Sequence, residues 1–478
     1  MFFERIYEPG LAHASYVIGC QKTGAALVVD PKRDVDTYLE LARRERLQIT
    51  HVAETHIHAD FLCGSRELAQ LTGAELLLSD EGGPDWQYAF EHTGLKHQTT
   101  FRVGQLEFRV LHTPGHTPEH ICFLLADRAT SSEPLMLFSG DFVFVGDVGR
   151  PDLLEKVVGL AGTQERSAQK LWESLELFRS LPDFVQVWPA HGAGSACGKA
   201  LGSVPSSTVG YEKRANWAFQ KPREEFISEL LSGQPEPPRY FALMKKLNRE
   251  KRRIVPVVPQ PEELTLKQFD VASADGALVL DVRDRKLFAA GHLPGSFNIP
   301  LAKSLSTWAG WLLAYDRDLV LVAPPQDVER AVRALVRIGL DRLVGFVPGV
   351  SDWRAAGRKL AHVQQVAPSD VSALLSERQA LLLDVREQSE FGTLHIQGAK
   401  NIHGGHLIAR ASEVPRDRPV ILYCQSGGRS SIAAATLKSL GFESVYDLEG
   451  GIQGWMRERL PVEAESGPLS RPAGSTEH

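Results

Sequence analysis

Apolar runs alternate with polar turns through the first half of the chain. Residues 15–19 and 26–30 are apolar runs joined by a short polar turn, and they predict two buried strands. Residues 35–46 carry apolar side chains at helical spacing and predict a helix. The other runs that predict strands lie at 49–56, 106–113, 120–126, 135–141 and 185–191. This pattern predicts an α/β fold.

The second half of the chain contains an internal repeat. One copy begins at Leu278 (LVLDVRDRKLFAAGHLPGSFNIP) and the other at Leu381 (LLLDVREQSEFGTLHIQGAKNIH), and they run on to Trp353 and Trp455. A period of roughly one hundred residues is far longer than that of solenoid repeats, which indicates duplicated domains. Strand and helix patterns alternate in both copies and predict two small α/β domains with parallel sheets.

Composition marks the borders between these regions. Residues 250–263 are charged and interrupted by prolines, which favours an extended linker. The segment after Pro461 is polar and rich in Pro, Gly and Ser, which is typical of disorder. We therefore predict domains at residues 1–250, 264–358 and 366–462, followed by a disordered tail at 463–478.

The overall composition excludes several classes of protein. The 478 residues are 43% hydrophobic and 23% charged, with a net charge of −6, which is ordinary for globular proteins. No basic excess indicates nucleic-acid binding, and no charge run or apolar run indicates a membrane partner. The five cysteines form no CxxC pair, which argues against a disulfide framework. The N-terminal residues lack the apolar core of a signal peptide, so we expect a cytoplasmic protein with free thiols.

Four short segments of the first half carry side chains that bind metals. They are residues 55–60 (THIHAD), 114–117 (PGHT), 139–141 (SGD) and 189–192 (PAHG). Each lies at the end of a predicted strand or in a turn beyond one, where α/β folds collect functional groups. Imidazole and carboxylate together suit zinc or iron, so these segments predict a metal site.

The order of these segments resembles the metallo-β-lactamase superfamily, whose signature is THxHxD followed by a distant His, Asp and His. Within it, residues 1–250 are most similar to the persulfide dioxygenases. Phe61 stands where dinuclear hydrolases of the superfamily carry a metal-binding His. Residues 149–152 (GRPD) resemble a GRxD segment of that branch, and residues 237–248 resemble its C-terminal helical segment. The resemblance implies an αββα sandwich for this domain.

The same resemblance implies one Fe(II) per chain, bound by His56, His116 and Asp141. Two histidines and one carboxylate leave coordination positions open for substrate and O₂. His112 precedes His116 by four residues, but the Pro-Gly turn favours His116 as the ligand. The residues expected to orient these ligands are His58, Asp60 and His191.

Two further residues of this domain have two interpretations each. Arg150 is a candidate for binding a carboxylate or phosphate of the substrate, or else forms a structural ion pair. Cys197 lies in a glycine-rich loop after His191 and is either a sulfur relay or an ordinary loop residue.

A cysteine follows the apolar run 420–423 in the second copy of the repeat. Cys424 begins a tight turn that leads into a predicted helix, where backbone N–H groups and the positive helix end stabilise a thiolate or an anion. Residues 366–462 resemble a rhodanese domain, notably at 381–387 (LLLDVRE) and 450–455 (GGIQGW). The resemblance implies that Cys424 carries a persulfide. The other residues expected at this site are Arg429 as a catalytic group and Gln425, Ser426, Gly427 and Gly428 as substrate-binding groups.

The first copy lacks this chemistry. Ala323 falls where Cys424 would be, and no glycine-rich loop or arginine follows it in register. This copy resembles an inactive rhodanese domain that serves as a spacer or a docking surface.

Together the resemblances imply a persulfide dioxygenase fused to a sulfurtransferase of sulfide detoxification. The iron site would oxidise a low-molecular-weight thiol persulfide with O₂ to sulfite. Cys424 would pass sulfur to sulfite to form thiosulfate, or take sulfur from thiosulfate. Two alternatives stay open: a glyoxalase II-like thioester hydrolase with a dinuclear metal, and a non-catalytic sulfur carrier or sensor. The expected partners are small molecules, and a homo-oligomer is compatible with the sequence.

Overall fold

The computed structural model describes residues 1–153, 155, 162–199, 201–377 and 380–464. The chain forms two compact units. The first comprises residues 1–260, 302–310 and 332–341, and the second comprises residues 261–301, 311–331 and 342–478. Of the predicted disordered tail, residues 465–478 lie outside the described residues. All five cysteines are free and buried.

The strands are β1 (Phe2–Glu8), β2 (His13–Gly19), β3 (Ala25–Val29), β4 (Gln48–Ala53), β5 (Glu75–Ser79), β6 (Thr93–Leu95), β7 (Thr100–Val103), β8 (Leu106–His112), β9 (Ile121–Asp127), β10 (Met136–Gly140), β11 (Gln186–Pro189), β12 (Ser207–Thr208), β13 (Leu278–Asp281), β14 (Phe297–Asn298), β15 (Leu319–Val322), β16 (Leu343–Val347), β17 (Gln364–Val366), β18 (Leu381–Asp384), β19 (His395–Ile396), β20 (Lys400–Asn401), β21 (Val420–Tyr423), β22 (Val445–Leu448) and β23 (Val462–Glu463). The helices are α1 (Asp36–Arg44), α2 (Ser65–Thr72), α3 (Thr163–Arg179), α4 (Val209–Ala215), α5 (Arg223–Leu231), α6 (Phe241–Arg249), α7 (Leu266–Ala274), α8 (Arg285–Ala290), α9 (Leu305–Leu312), α10 (Pro325–Val336), α11 (Ser351–Ala355), α12 (Pro368–Glu377), α13 (Gln388–Thr393), α14 (Gly428–Ser439) and α15 (Gly451–Arg457).

The first unit is an αββα sandwich, as predicted. Its sheets have the strand orders β1-β2-β3-β4-β5-β6 and β12-β11-β10-β9-β8-β7. Alternate residues of β2 serve two cores: Tyr16 and Ile18 pack between the sheets, whereas Val17 packs under α1 and α2. Helices α3 and α5 cover the second sheet in the same way, with Leu175 and Phe226 buried against it. Burial of each side chain of this size contributes about 1.5–3 kcal/mol.

The predicted strands of the first half are confirmed as β2, β3, β4, β8, β9, β10 and β11, and the predicted helix is confirmed as α1. The sandwich brings the C-terminal ends of β4, β10 and β11 to one edge. The loops that carry the metal-type side chains leave from these ends, so the fold assembles them in one place.

Residues 332–341 belong to the first unit through a buried set of ion pairs. The guanidinium of Arg337 donates to Asp34, with an Nη2–Oδ2 distance of 2.7 Å, and lies 2.6 Å from Glu8. The carbonyl oxygen of Arg337 accepts a hydrogen bond from the backbone N–H of Leu62 at 2.7 Å. Leu62 follows the THIHAD segment, so these residues hold the loop that carries the predicted ligands.

The second unit contains two parallel sheets, as predicted for the repeat. Their strand orders are β14-β13-β15-β16 and β17-β22-β21-β18-β20. In both copies an aspartate at the end of a central strand pairs with an arginine two residues later. Asp281 binds Arg283 and Asp384 binds Arg386, each at 2.6 Å. Among the residues that the structure describes, no helix is both long enough and apolar enough to cross a membrane.

Candidate metal centre and thiol loop

Three of the predicted ligands converge in the first unit. The Nε2 atoms of His56 and His116 lie 3.9 and 3.5 Å from Oδ2 of Asp141. All three residues are buried, and their ligand atoms lie within 4.8 Å of one another. Two imidazoles and one carboxylate therefore point at a single position.

Partners on the far side of each imidazole fix its orientation. Nδ1 of His116 lies 2.9 Å from the carbonyl oxygen of Arg150. Nδ1 of His56 lies 3.0 Å from Oγ1 of Thr55, which donates to Asp30. Because Nδ1 of each ring is engaged, Nε2 is left to face Asp141. This is the arrangement by which proteins orient metal-binding histidines.

Asp141 follows a turn that requires glycine. Gly140 has a φ of +53°, and a Cβ there would lie 2.6 Å from Nε2 of His120 and 2.7 Å from Oγ1 of Thr55. The backbone N–H of Asp141 donates to the same Nε2 of His120 at 3.0 Å. The glycine thus lets the strand end turn sharply enough to aim the carboxylate at the two histidines.

The electrostatics of this cluster fit a bound cation. Neither carboxylate oxygen of Asp141 has a hydrogen-bond partner among the described residues. Burial raises the pKa of Asp141 to about 6 and lowers the pKa of His56 and His116 well below the usual range. A buried carboxylate is costly unless it is paired, and neutral imidazole is the form that binds metal. The residues present therefore fit a divalent metal ion.

Asp60, His191 and Cys197 form a second group of donors beside the first. Their ligand atoms lie within 4.8 Å of one another. Nε2 of His191 is 3.4 Å from Asp60 and 3.5 Å from Oδ1 of Asp141. Cys197 is buried here, and burial raises its thiol pKa well above the usual range. The structure thus brings Cys197 to the site, although its role as a relay stays a prediction.

His58 and Phe61 complete the wall of the site. Nε2 of His58 lies 3.1 Å from Oδ1 of Asp30, a residue that the sequence analysis did not identify. Although burial alone would lower the pKa of His58, Asp30 raises it to about 9. The ring of Phe61 is fully buried, 4.5 Å from the His58 ring and 4.1 Å from the ring of His13. A buried hydrocarbon ring, with no metal-binding atom, therefore borders the imidazoles of His58 and His13.

Of the two interpretations of Arg150, the structure supports the ion pair. Its guanidinium is fully buried and binds both carboxylate oxygens of Asp152, at 2.7 and 2.8 Å. It also donates to the carbonyl oxygens of Ala196 and Pro235. These bonds engage its three nitrogens, so the prediction that Arg150 binds substrate is corrected.

Helix α6 contributes two side chains that the sequence analysis did not assign. The amide of Asn248 binds the loop of the metal ligands, donating to the carbonyl oxygens of His58 and Phe61 at 2.9 and 2.8 Å. Lys245 is buried, and its Nζ has no hydrogen-bond partner in the described part of the chain. Burial lowers its pKa, while Glu119, Cys197 and Asp141 raise it. A buried cation thus lies near the candidate ligands.

The thiol predicted in the second unit lies at a helix start. Cys424 follows β21, and the backbone N–H of Gly427 donates to its Sγ at 3.2 Å. Gly427 has a φ of +96° and caps α14, so the turn requires glycine. Gln425, Ser426 and Gly428 are exposed around a thiol that is 1% exposed. The tight turn that the sequence predicts at Cys424 is therefore present, and the substrate-binding roles of residues 425–428 stay predictions.

Arg429, the arginine of the thiol loop, is paired with a carboxylate. Its guanidinium binds both oxygens of Glu390, at 2.5 and 2.8 Å. The predicted catalytic role of Arg429 stays a prediction, since this pair uses the groups that would bind a substrate anion.

The first copy of the repeat has no such turn. Ala323 directly follows β15, as Cys424 follows β21, and α10 begins two residues later at Pro325. The turn is thus too short to enclose an anion, which agrees with the absence of a nucleophile.

Comparison with known families assigns both halves. The model of the metallo-beta-lactamase superfamily matches residues 9–191, and the model of the rhodanese-like domain matches residues 265–356 and 367–458. A metallo-beta-lactamase from Staphylococcus aureus subsp. aureus COL is 43% identical. That similarity covers 73% of this chain and 99% of that one, with a TM-score of 0.67. The chain therefore belongs to the metallo-beta-lactamase superfamily and carries two rhodanese-like domains.

Two other relatives cover about half of the chain or less. The hydroxyacylglutathione hydrolase of Rhodospirillum rubrum is 31% identical over 37% of this chain, and the match spans 60% of that protein's length. ETHE1 from Myxococcus xanthus is 30% identical over 52% of this chain and 98% of its own, with a TM-score of 0.43. The two domain classes support an enzymatic function, with metal binding in the first unit, and sulfur transfer fits the rhodanese-like part.

Proposed function

We propose that the protein oxidises a low-molecular-weight thiol persulfide with O₂ at one Fe(II) and transfers sulfur through Cys424. The observation that carries this proposal is the buried cluster of His56, His116 and Asp141. A non-haem iron held by two histidines and one carboxylate keeps positions open for substrate and O₂. Phe61 offers no ligand atom to a second metal. The free thiols suit a reducing compartment such as the cytoplasm.

The chain's own residues have distinct tasks in this proposal. His56, His116 and Asp141 hold the metal, and the partners of their rings keep them aimed at it. Phe61 supplies an apolar wall that excludes water from one side of the site. The cation of Lys245 attracts the anionic sulfur of a persulfide, a feature that a neutral thioester would not use.

The two reactions balance as follows. A persulfide RSSH with O₂ and H₂O gives RSH and H₂SO₃: the S–S bond breaks, and the outer sulfur loses the four electrons that reduce O₂. Cys424 takes the outer sulfur of another persulfide and releases its thiol. Sulfite then attacks that sulfur, so that the bond to Cys424 breaks as thiosulfate forms. Transfer from thiosulfate to Cys424 runs the last step backwards with the same residues.

Oxygen uptake tests the proposal directly. Iron-loaded protein is mixed with the persulfides of glutathione, coenzyme A and a neutral thiol while O₂, sulfite and thiosulfate are measured. We expect O₂ consumption to equal the sum of sulfite and thiosulfate formed. Absence of O₂ uptake with all of these persulfides would contradict the proposal.

Replacement of Lys245 tests the role given to its cation. We expect Lys245→Met to lower kcat/KM for an anionic persulfide about tenfold, because a charge in a dry site interacts more strongly than one in water. Iron content should not change, since Lys245 is not a ligand. Steady-state O₂ uptake and metal analysis measure both quantities.

Lys246→Met is the matched control, because Lys246 is the next residue of α6 and is exposed. It should leave kcat/KM unchanged. Equal values of kcat/KM for Lys245→Met and the wild type would show that the buried cation does not bind the substrate.

Thioester hydrolysis is the second candidate function, and one observation favours it. Asp60, His191 and Cys197 form a second donor group, which would suit a dinuclear site. Metal analysis separates the candidates. Two metal ions per chain, with thioester cleavage and no O₂ uptake, would support the hydrolase.

A further inference from the structure

A cavity of about 560 Å³ opens beside the Cys424 loop within the second unit. Both copies of the repeat line it: the first contributes Arg285 and Phe288, and the second contributes Ser426 and Gly427. Phe288 also shares an apolar cluster with Cys424. A volume of this size is typical of a small-molecule site, for which about 300–1,000 Å³ is usual.

Arg285 is the cation of this cavity that lies against the thiol loop. A Cβ on Gly427 would be 2.9 Å from Nη1 of Arg285, so the guanidinium rests on that glycine. The N–H of the same glycine donates to Sγ of Cys424. Arg285 is half-buried and makes no hydrogen bond or ion pair to the residues for which the structure gives a placement.

The loop's own arginine is not available in this way, because Arg429 is bound to Glu390 at both carboxylate oxygens. Asp447, at the edge of the same cavity, accepts a hydrogen bond from Gln365 at 3.3 Å. Burial raises the pKa of Asp447 to about 6, and the nearby charge of Arg285 opposes that rise. The cation next to the Cys424 loop that forms no hydrogen bond or ion pair among the described residues therefore comes from the first copy.

We infer that Arg285, from the copy without a nucleophile, binds the anionic end of the sulfur compound that reacts at Cys424. The ligand is a small sulfur compound with an oxyanion group, either thiosulfate or a thiol that bears a carboxylate. A guanidinium fork matches both kinds of group. With thiosulfate, its S–S bond breaks, the outer sulfur joins Cys424, and sulfite leaves. This inference rests on the proposed sulfur transfer and gives the first copy a binding role.

Kinetics of sulfur transfer test the inference. With thiosulfate as donor and cyanide as acceptor, we expect Arg285→Gln to raise KM for thiosulfate about tenfold with little change in kcat, since a charge-assisted hydrogen bond is lost. The KM of Arg285→Lys for thiosulfate should lie between those of the wild type and Arg285→Gln. Lys359→Gln is the control, because Lys359 is an exposed cation that directly follows the first copy and lies outside the cavity.

The acceptor distinguishes the two sources of the anionic group. A rise in KM for glutathione but not for 2-mercaptoethanol or thiosulfate would assign Arg285 to a carboxylated thiol. A rise in KM for thiosulfate would assign it to the sulfur oxyanion. Either result supports the inference.

Alkylation of Cys424 supplies a readout that does not need turnover. The rate with iodoacetate relative to iodoacetamide, followed on the Cys424 peptide by mass spectrometry, should fall in Arg285→Gln and not in Lys359→Gln. Unchanged KM values together with an unchanged ratio would overturn the inference while leaving sulfur transfer intact. If the wild type transfers no sulfur but Arg285→Gln still loses the preference for iodoacetate, the proposed function would be wrong, whereas the anion site at Arg285 would be supported.

Discussion

Replacing His116 by alanine is expected to remove the bound iron and to lower persulfide-dependent O₂ uptake more than about 100-fold. Mutation of a residue that only hydrogen-bonds to a metal ligand already costs about 10- to 100-fold in metal affinity or activity, and loss of the ligand itself should cost more. His116 is one of the two imidazoles whose Nε2 atoms face Oδ2 of Asp141. Its Nε2 faces that carboxylate at 3.5 Å while Nδ1 is fixed by the carbonyl oxygen of Arg150. Metal content per chain and O₂ consumption measure the effect.

His112→Ala is the matched control for this prediction. His112 lies four residues earlier, and its Nε2 lies 2.8 Å from the carbonyl oxygen of Pro118 rather than near Asp141. It should keep both iron and activity. Sulfur transfer through Cys424 should persist in both variants, which shows that the chain is folded. Iron loss in His112→Ala and retention in His116→Ala would refute the ligand assignment.

The position of the candidate ligands could be predicted because it depends on local pattern. His56 and Asp141 each follow a strand whose apolar residues identify it, and the sandwich brings these strand ends to one edge. The thiol loop was predictable for the same reason, since Cys424 lies directly between a buried strand and a helix. The duplicated segments likewise predicted two parallel sheets, and both were found.

The interactions that decide the role of each charged side chain could not be predicted in this way. Arg150 is bound by carbonyl oxygens of Ala196 and Pro235, which are distant in sequence. Lys245 was visible only as part of a helical pattern, and nothing in that pattern showed that its amine is buried without a partner. Pairing and burial of this kind follow from tertiary packing.

The border between the first two predicted domains illustrates the same limit. Proline and charge at 250–263 predict a linker, and residues 251–262 indeed form no helix or strand. The assignment of residues 332–341 to the first unit depends instead on Arg337, whose partners Asp34 and Glu8 are about three hundred residues away. Local sequence patterns cannot predict a salt bridge between residues that are so far apart in the chain.

Replacing Cys424 by serine is expected to abolish sulfur transfer to the limit of detection, because an alcohol cannot carry a sulfane sulfur. Iron-loaded Cys424→Ser should consume O₂ at the wild-type rate and accumulate sulfite in place of thiosulfate. The hydrogen bond from the N–H of Gly427 can be kept by the serine oxygen, so the loop should not collapse. Quantification of sulfite and thiosulfate after persulfide addition measures the change.

Cys20→Ser is the matched control for this variant. Cys20 is also buried. Burial raises its thiol pKa, but hydrogen bonds, among them one from the backbone N–H of Gln105, outweigh burial and lower that pKa overall. It follows β2 of the first unit and does not begin a helix. If a lowered thiol pKa were sufficient for sulfur transfer, Cys20 would also carry sulfur, and Cys20→Ser would form less thiosulfate. We expect thiosulfate formation in Cys20→Ser to equal that of the wild type. Thiosulfate formation that is unchanged in Cys424→Ser would contradict the coupling of the two reactions, because sulfite would then acquire its second sulfur without the thiol loop.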